Sequence, residues 1–138
     1  MRMTLQNSAP SYALTILEQH LDTFGHVNNA AYLTIFEQAR WELITQRGYG
    51  LEKIRETGLG PVILELTLRF KRELTLRQNV VIKTEVPSYE GKVGVMKQVI
   101  EDEKGQVCAD LELKFGLFDT TARKLVKPTP DWLRAMGR

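Results

Sequence analysis

The sequence predicts an α+β fold, in which a five-stranded antiparallel sheet curls around one long central helix. A strand pattern at residues 11–20 comes first, and a helical pattern at residues 30–47 follows it. Four alternating patterns come next with no helix between them, and their short turn-rich links favour antiparallel pairing. Because the sheet has an apolar face and the helix is apolar along its length, curling the sheet around the helix buries both.

Length and composition indicate one domain, 1–138, of ordinary globular character. The chain is 43% hydrophobic and 26% charged, with a net charge of +2. That charge is too small to predict a nucleic-acid or membrane partner, and no apolar run approaches the roughly 18 residues of a membrane span. Residues 1–10 lack the apolar core of a signal peptide, so we expect a cytoplasmic protein. The single cysteine, Cys108, excludes an internal disulfide and fits a packed thiol in a strand.

The first elements follow from periodicity and capping. Residues 11–20 alternate as a strand does, and from Ala30 the apolar residues recur at helical spacing. Asn28 and Asn29 are good helix caps, and Gly48 is a typical C-terminal stop. A helix of roughly 18 residues is about 27 Å long.

The second half of the chain supplies the remaining strands, at residues 62–73, 79–86, 92–101 and 106–119. The chain ends in a predicted short helix at residues 128–135, capped by Thr129 with Pro130 at its first position. In the first of the four strands, alternation places one apolar set on a single face: Val62, Leu64, Leu66, Leu68 and Phe70.

The segment before the long helix carries the candidate chemistry. Asp22 lies six residues before Asn28, and Gly25 between them allows a sharp bend. The bend can bring the carboxylate towards the helix N-terminus, whose free N–H groups carry about half a positive charge. Backbone donors that hold a carbonyl oxygen, with a carboxylate beside the carbonyl carbon, suit acyl transfer.

The segment DTFGHVNNAAYLTIFEQAR, residues 22–40, resembles the 4-hydroxybenzoyl-CoA thioesterase-like acyl-CoA thioesterases, which have the hot-dog fold. The strand order along nearly the whole chain agrees with that family. One position departs from it, because many members carry a second aspartate where this chain has His20. The residues that match the family pattern are Asp22, Gly25, His26, Val27, Asn28, Asn29, Tyr32, Glu37 and Arg40.

The resemblance implies an acyl-CoA thioesterase that releases a carboxylic acid and CoA. It implies that Asp22 is the catalytic general base or nucleophile and that the N–H near Asn29 polarises the thioester carbonyl. It also implies that Tyr32 lines the acyl pocket, and that two sheets pair in a homodimer, or in a tetramer of two dimers, with the site at the interface. Further candidates for substrate binding are Gly25, His26, Asn28 and Glu37.

Several residues have a plainer structural explanation. His26 is either a hydrogen-bonding prop for the loop or a proton donor, and Glu37 either pairs with Arg40 or faces a neighbouring subunit's pocket. No ligand spacing predicts a metal, and no cofactor is expected, because coenzyme A is part of the substrate. Candidate CoA phosphate contacts are Arg69, Lys71 and Lys92, although an alternating charged face is usually only solvated.

The sequence is compatible with three functions. The first is hydrolysis of a small-molecule acyl-CoA. The second is non-catalytic binding of an acyl thioester or lipid, and the third is hydrolysis of an acyl group on an acyl-carrier protein. Release of free thiol from acyl-CoA distinguishes a hydrolase from a binding protein. Activity on acyl groups attached to the carrier protein identifies the third function.

Overall fold

The computed structural model describes residues 9–138. In it the long helix packs on one antiparallel sheet. The strands are β1 (Ser11–Thr15), β2 (Leu59–Phe70), β3 (Asn79–Glu90), β4 (Val93–Glu101), β5 (Val107–Asp119) and β6 (Lys124–Val126). The helices are α1 (Asn29–Gln46), α2 (Leu51–Thr57) and α3 (Pro130–Ala135), with a 3-10 turn at Glu18–His20. The strand order is β1-β3-β4-β5-β2, with β6 paired to the end of β5.

The predicted α+β architecture is confirmed, with one strand added. The sheet has six strands rather than five, because Lys124–Val126 folds back and pairs Val126 with Leu117. Three residues are too few to show an alternating pattern in the sequence. The predicted C-terminal helix is confirmed, and its cap Thr129 accepts the N–H of Trp132 at 3.2 Å. Cys108 is buried, as predicted.

Helix α1 begins one residue earlier than predicted, and it is only partly covered. Asn28 is the cap, and Asn29 is the first helical residue rather than a second cap. One side of the helix is buried in the core, but Leu33 and Trp41 on the other side are 36% and 39% exposed. Within residues 9–138, the sheet therefore curls over one side of the helix and leaves the other side exposed. The sheet covers only one side of α1, whose buried residues are Tyr32, Ile35, Phe36, Ala39 and Ile44.

A β-bulge changes which side chains of β2 face the helix. Ile63 pairs with Phe115 and Glu65 pairs with Lys114, so Leu64 is an extra residue in the strand. Ile63, and not Leu64 as alternation predicted, therefore shares the inner face with Leu66. The inner face of β2 and the uncovered side of α1 border what we call the α1–β2 groove, defined by Leu33, Glu37, Trp41, Ile63, Leu66 and Phe70.

The remaining expectations concern the termini and membranes. The first strand is shorter than predicted, since β1 ends at Thr15 and the 3-10 turn follows. The expectation about a signal peptide rests on residues 1–10, of which 1–8 lie outside the described residues. No helix in the described part of the chain is long and apolar enough to cross a bilayer.

Candidate active site

Residues 20–28 form a tight hairpin that leads directly into α1. The two sides are joined by a β-bridge between Leu21 and Val27. The N–H of Asp22 donates to the carbonyl of His26 at 2.8 Å, and the N–H of Asn28 donates to the carbonyl of His20 at 2.9 Å. The hairpin therefore fixes the position of Asp22 relative to the start of the helix.

The Asp22 carboxylate is held by its own turn. Its Oδ1 accepts the N–H of Phe24 at 2.8 Å and the N–H of His26 at 3.2 Å. Gly25 completes the turn with φ of 81°, a conformation that favours glycine. The second oxygen, Oδ2, accepts no hydrogen bond from residues 9–138. Asp22 is half-buried, so this oxygen is oriented by the turn and remains available to a ligand.

The N-terminus of α1 offers a free donor. Asn28 caps the helix, since its side chain accepts the N–H of Ala30 at 2.8 Å. Its carbonyl accepts the N–H of Ala31 at 2.9 Å. The N–H of Asn29 donates to no acceptor in the described part of the chain. An unpaired N–H at the positive end of an 18-residue helix can bind an anionic or polarised oxygen.

Asp22 and Asn29 belong to the same hairpin-to-helix segment but do not touch. The carboxylate contacts the N–H groups of its own turn, at the opposite end of the hairpin from α1. Their joint action on one acyl carbon stays a prediction. A substrate that lies along the hairpin would have to bridge them.

His26 has a partner that sequence analysis did not identify. Its Nε2 forms a salt-bridge contact with Oε1 of Glu73, and the two side chains are 57% and 54% exposed. Glu73 follows β2 in the link to β3, so the contact joins two distant parts of the chain. A single sequence contains no signal for such a pairing. The contact supports the role of His26 as a prop for the loop.

Tyr32 forms part of the core beside the hairpin. It is buried and lies edge-on to Phe70, with ring centroids 5.0 Å apart. Burial raises the pKa of its phenol, and nearby Cys108 and Glu73 raise it further, while a backbone hydrogen bond from Leu74 opposes them. The hydroxyl therefore stays neutral at physiological pH. Tyr32 can form a wall of a pocket but is not a base.

A cavity of about 100 Å³ lies at the end of the α1–β2 groove that is farther from the hairpin. Glu37 and Arg40 both line it, but they do not form the ion pair considered from the sequence. Arg40 Nη1 instead donates to Oε1 of Gln98 at 2.9 Å, and Glu37 is exposed. The cause is the burial of Gln98 on the inner face of β4, where its oxygen needs a donor.

The three candidate CoA contacts lie away from this groove. Arg69 Nη1 and Lys71 Nζ lie 3.2 Å and 3.5 Å from the carboxylate of Asp110, which is 1% exposed on the outer face of the sheet. They compensate a buried charge, which limits their availability to a phosphate. Lys92 is exposed in the turn between β3 and β4. Their role in binding CoA stays a prediction.

Comparisons with known proteins agree with this architecture. A family model described as the thioesterase-like superfamily matches residues 17–136. The long-chain acyl-CoA thioesterase FadM of Escherichia coli (strain K12) is 31% identical over 106 residues, which cover 76% of this chain and 80% of the relative.

Solved structures share the fold. The crystal structure of YbaW, a probable thioesterase from Escherichia coli, has a TM-score of 0.82 at 26% identity and covers 93% of this chain and 98% of that chain. A Staphylococcus aureus protein solved in complex with CoA has a TM-score of 0.88 at 15% identity, covering 99% of this chain and 86% of that chain, which shows the fold alone. The chain therefore belongs to the thioesterase-like superfamily and is a thioester hydrolase with the hot-dog fold.

Proposed function

We propose that this protein hydrolyses acyl-CoA thioesters to a free carboxylic acid and CoA, with Asp22 as the catalytic carboxylate. Two routes to hydrolysis of the thioester are open to a single carboxylate. As a general base, Asp22 takes a proton from water, the hydroxide attacks the carbonyl carbon, and the C–S bond breaks to release the thiolate. As a nucleophile, Asp22 attacks the carbon itself, the C–S bond breaks to release the thiolate and leave an acyl anhydride on Asp22, and water then hydrolyses this anhydride to the free acid and the Asp22 carboxylate. A thiolate is a good leaving group, so one carboxylate can serve either route.

The free N–H of Asn29 supplies the second element of the proposed mechanism. When the carbonyl carbon is attacked, negative charge develops on its oxygen, and a fixed backbone donor at a helix N-terminus stabilises that charge. One such donor contributes roughly 3 to 4 kcal/mol of transition-state stabilisation. Asn28 supports this by capping the helix through Ala30, which leaves the Asn29 N–H free. Gly25 and His26 keep the hairpin that carries Asp22 in shape.

The α1–β2 groove is the proposed binding site for the acyl chain. Tyr32 and Phe70 meet at the end of the groove nearest the hairpin, and Ile63 and Trp41 line the cavity at the far end. Apart from Glu37, the side chains that define it are apolar and about 36% to 52% exposed, an arrangement that suits an aliphatic ligand. The FadM relative, named as a long-chain acyl-CoA thioesterase, supports such a substrate.

We also propose that two copies pair through β2. In the described sheet β2 bonds only to β5, so its other edge is free, and Leu64 is 47% exposed beside that edge. Leu64→Lys should convert a dimer to a monomer in sedimentation velocity, because a lysine on an edge strand opposes pairing. Leu51→Lys, on α2 and 54% exposed, is the matched control and should remain dimeric. A monomeric parent protein would refute this pairing.

The observation that carries the enzymatic proposal is the hairpin itself, which holds a carboxylate with a free oxygen and leads directly into a helix whose first N–H is free. Thiol release should be measured for short, long, branched and aryl CoA esters, with the parent protein and Asp22→Asn side by side. We expect the parent to hydrolyse long aliphatic esters and the variant to lose turnover while keeping the fold. Tight binding of these esters by the parent without thiol release would indicate a binding protein. Thiol release only from acyl groups on an acyl-carrier protein would indicate an acyl-carrier-protein thioesterase.

A further inference from the structure

The far end of the α1–β2 groove is apolar except for two charged side chains. The cavity of about 100 Å³ is walled mainly by Ile63, Met96, Phe115 and Trp132. An acyl chain that ends in a methyl group would need only these apolar walls. Yet Glu37 and Arg40 line the same space, and neither forms a salt bridge with any residue of the described chain. Burial makes a charge costly unless it has a partner, which applies to the partly buried Arg40, whereas Glu37 at the rim is exposed.

Arg40 is held in place by a buried network. Its Nη1 donates to Gln98 Oε1 at 2.9 Å, and Gln98, which is 0% exposed, donates through Nε2 to the carbonyl of Phe36 and to Thr84 Oγ1 at 3.1 Å and 3.0 Å. A guanidinium has five N–H donors, and Gln98 uses one of them. Burial lowers the pKa of Arg40, and the charge of Glu37 partly opposes this. The network fixes the position of Arg40 but does not neutralise its charge.

The chemistry of the two side chains selects a ligand group. Arg40 can only donate hydrogen bonds, and the ionised carboxylate of Glu37 can only accept them. A hydroxyl can accept from Arg40 and donate to Glu37 at the same time. A methyl group satisfies neither residue, and a carboxylate would meet the negative charge of Glu37.

We propose that this cavity recognises a hydroxyl at the far end of the acyl chain, bound between Arg40 and Glu37, so that the preferred substrates are long hydroxyacyl thioesters. The inference rests on the proposed thioesterase function and names its substrate class. Arg40 lies eleven residues beyond Asn29 on α1, or about 16 Å along the helix at about 1.5 Å per residue. The hydroxyl therefore belongs to a long chain and lies far from the thioester carbon.

The first test uses only the parent protein. The quantity kcat/KM is measured for matched CoA esters of decanoyl, dodecanoyl and tetradecanoyl chains that end in a methyl, a hydroxyl or a carboxylate. At the length that reaches the cavity, the hydroxyl form should exceed the methyl form by roughly 10- to 100-fold, the range for hydrogen bonds to charged groups. The carboxylate form should be the poorest. Equal values for methyl and hydroxyl forms at every length would overturn the proposal.

Variants assign the effect to the two residues. Arg40→Met keeps the unbranched stem of the side chain but removes the guanidinium and its donors, and the hydroxyl-to-methyl ratio should fall to about one. Arg47→Met is the matched control, because Arg47 lies just beyond the same helix, bonds to the carbonyl of Ala135 at 2.8 Å and does not line the cavity. It should keep the parent's ratio. A ratio that survives Arg40→Met would refute the role of Arg40.

Glu37→Gln provides a readout that does not depend on the buried network. Glu37 is exposed, so the variant should fold, and loss of its charge should raise kcat/KM for the carboxylate-ended chain several-fold. No increase would contradict the placement of Glu37. A parent that hydrolyses no CoA ester would overturn the proposed function itself. Asp22-dependent hydrolysis with a ratio of one would overturn only the hydroxyl site.

Discussion

Two turns in this molecule are built alike, and only one of them is a candidate active site. In the hairpin before α1, Asp22 Oδ1 accepts the N–H groups of Phe24 and His26. Between β4 and β5, Asp102 Oδ1 accepts the N–H groups of Lys104 and Gln106, both at 2.9 Å. Each turn has a glycine at its fourth residue, Gly25 with φ of 81° and Gly105 with φ of 76°.

The surroundings of the two turns differ. The Asp22 turn leads into α1, where the N–H of Asn29 is free, and it contacts Glu73 through His26. The Asp102 turn joins two strands at the end of the sheet, and no helix starts there. The comparison shows that the only role of an aspartate in such a turn can be to accept the N–H groups that hold the turn together. The proposal that Asp22 is catalytic therefore rests on the helix that follows its turn and on the α1–β2 groove, and the Asp102 turn is the matched control.

The largest expected difference comes from changing each aspartate to asparagine. The amide oxygen can still accept the two turn N–H groups, so both variants should fold. Asp22→Asn should lower kcat by roughly 100-fold or more, the usual contribution of a general base, because it removes the charge. Asp102→Asn should leave kcat unchanged in the same thiol-release assay. Similar losses in both variants would mean that the turns matter only for stability.

A smaller effect is expected for the carboxylate that holds His26. Glu73→Gln should lower kcat roughly 10-fold, because the turn that positions Asp22 loosens, and misplacement by about 1 Å can cost roughly 100-fold. Glu18→Gln is the control, since Glu18 forms an equally exposed ion pair with Arg77 that does not touch the turn. Both changes should cost less than about 1 kcal/mol of stability. An unchanged kcat in Glu73→Gln would make His26–Glu73 an ordinary surface pair.

The smallest difference concerns the two glycines. Neither has an atom within 4 Å of an added Cβ, so the cost of Gly25→Ala and Gly105→Ala is the positive φ alone. We expect each to lower the free energy of unfolding by about 1 to 2 kcal/mol in urea titrations. Only Gly25→Ala should also reduce kcat. Unequal stability losses would show that the turns are less alike than their hydrogen bonds indicate.

Features that depend on local periodicity could be predicted, and features that depend on distant contacts could not. The helix at Asn29–Gln46 follows from apolar spacing and from the Asn28 cap, and the strands follow from alternation. The bulge at Leu64 was missed, because an unbroken apolar run hides an extra residue. The bond between Arg40 and Gln98 could not be predicted, because it joins two residues that are 58 positions apart in the chain. The contact between Glu73 and His26 could not be predicted for the same reason.

The central claim is that the Asp22 carboxylate performs chemistry and does not merely shape its turn or bind substrate. The most direct measurement combines binding and single-turnover thiol release for Asp22→Asn with an acyl-CoA that the parent hydrolyses. We predict that the variant binds the ester about as tightly as the parent and releases CoA at least roughly 100-fold more slowly. Release at the parental rate from the bound ester would contradict the account.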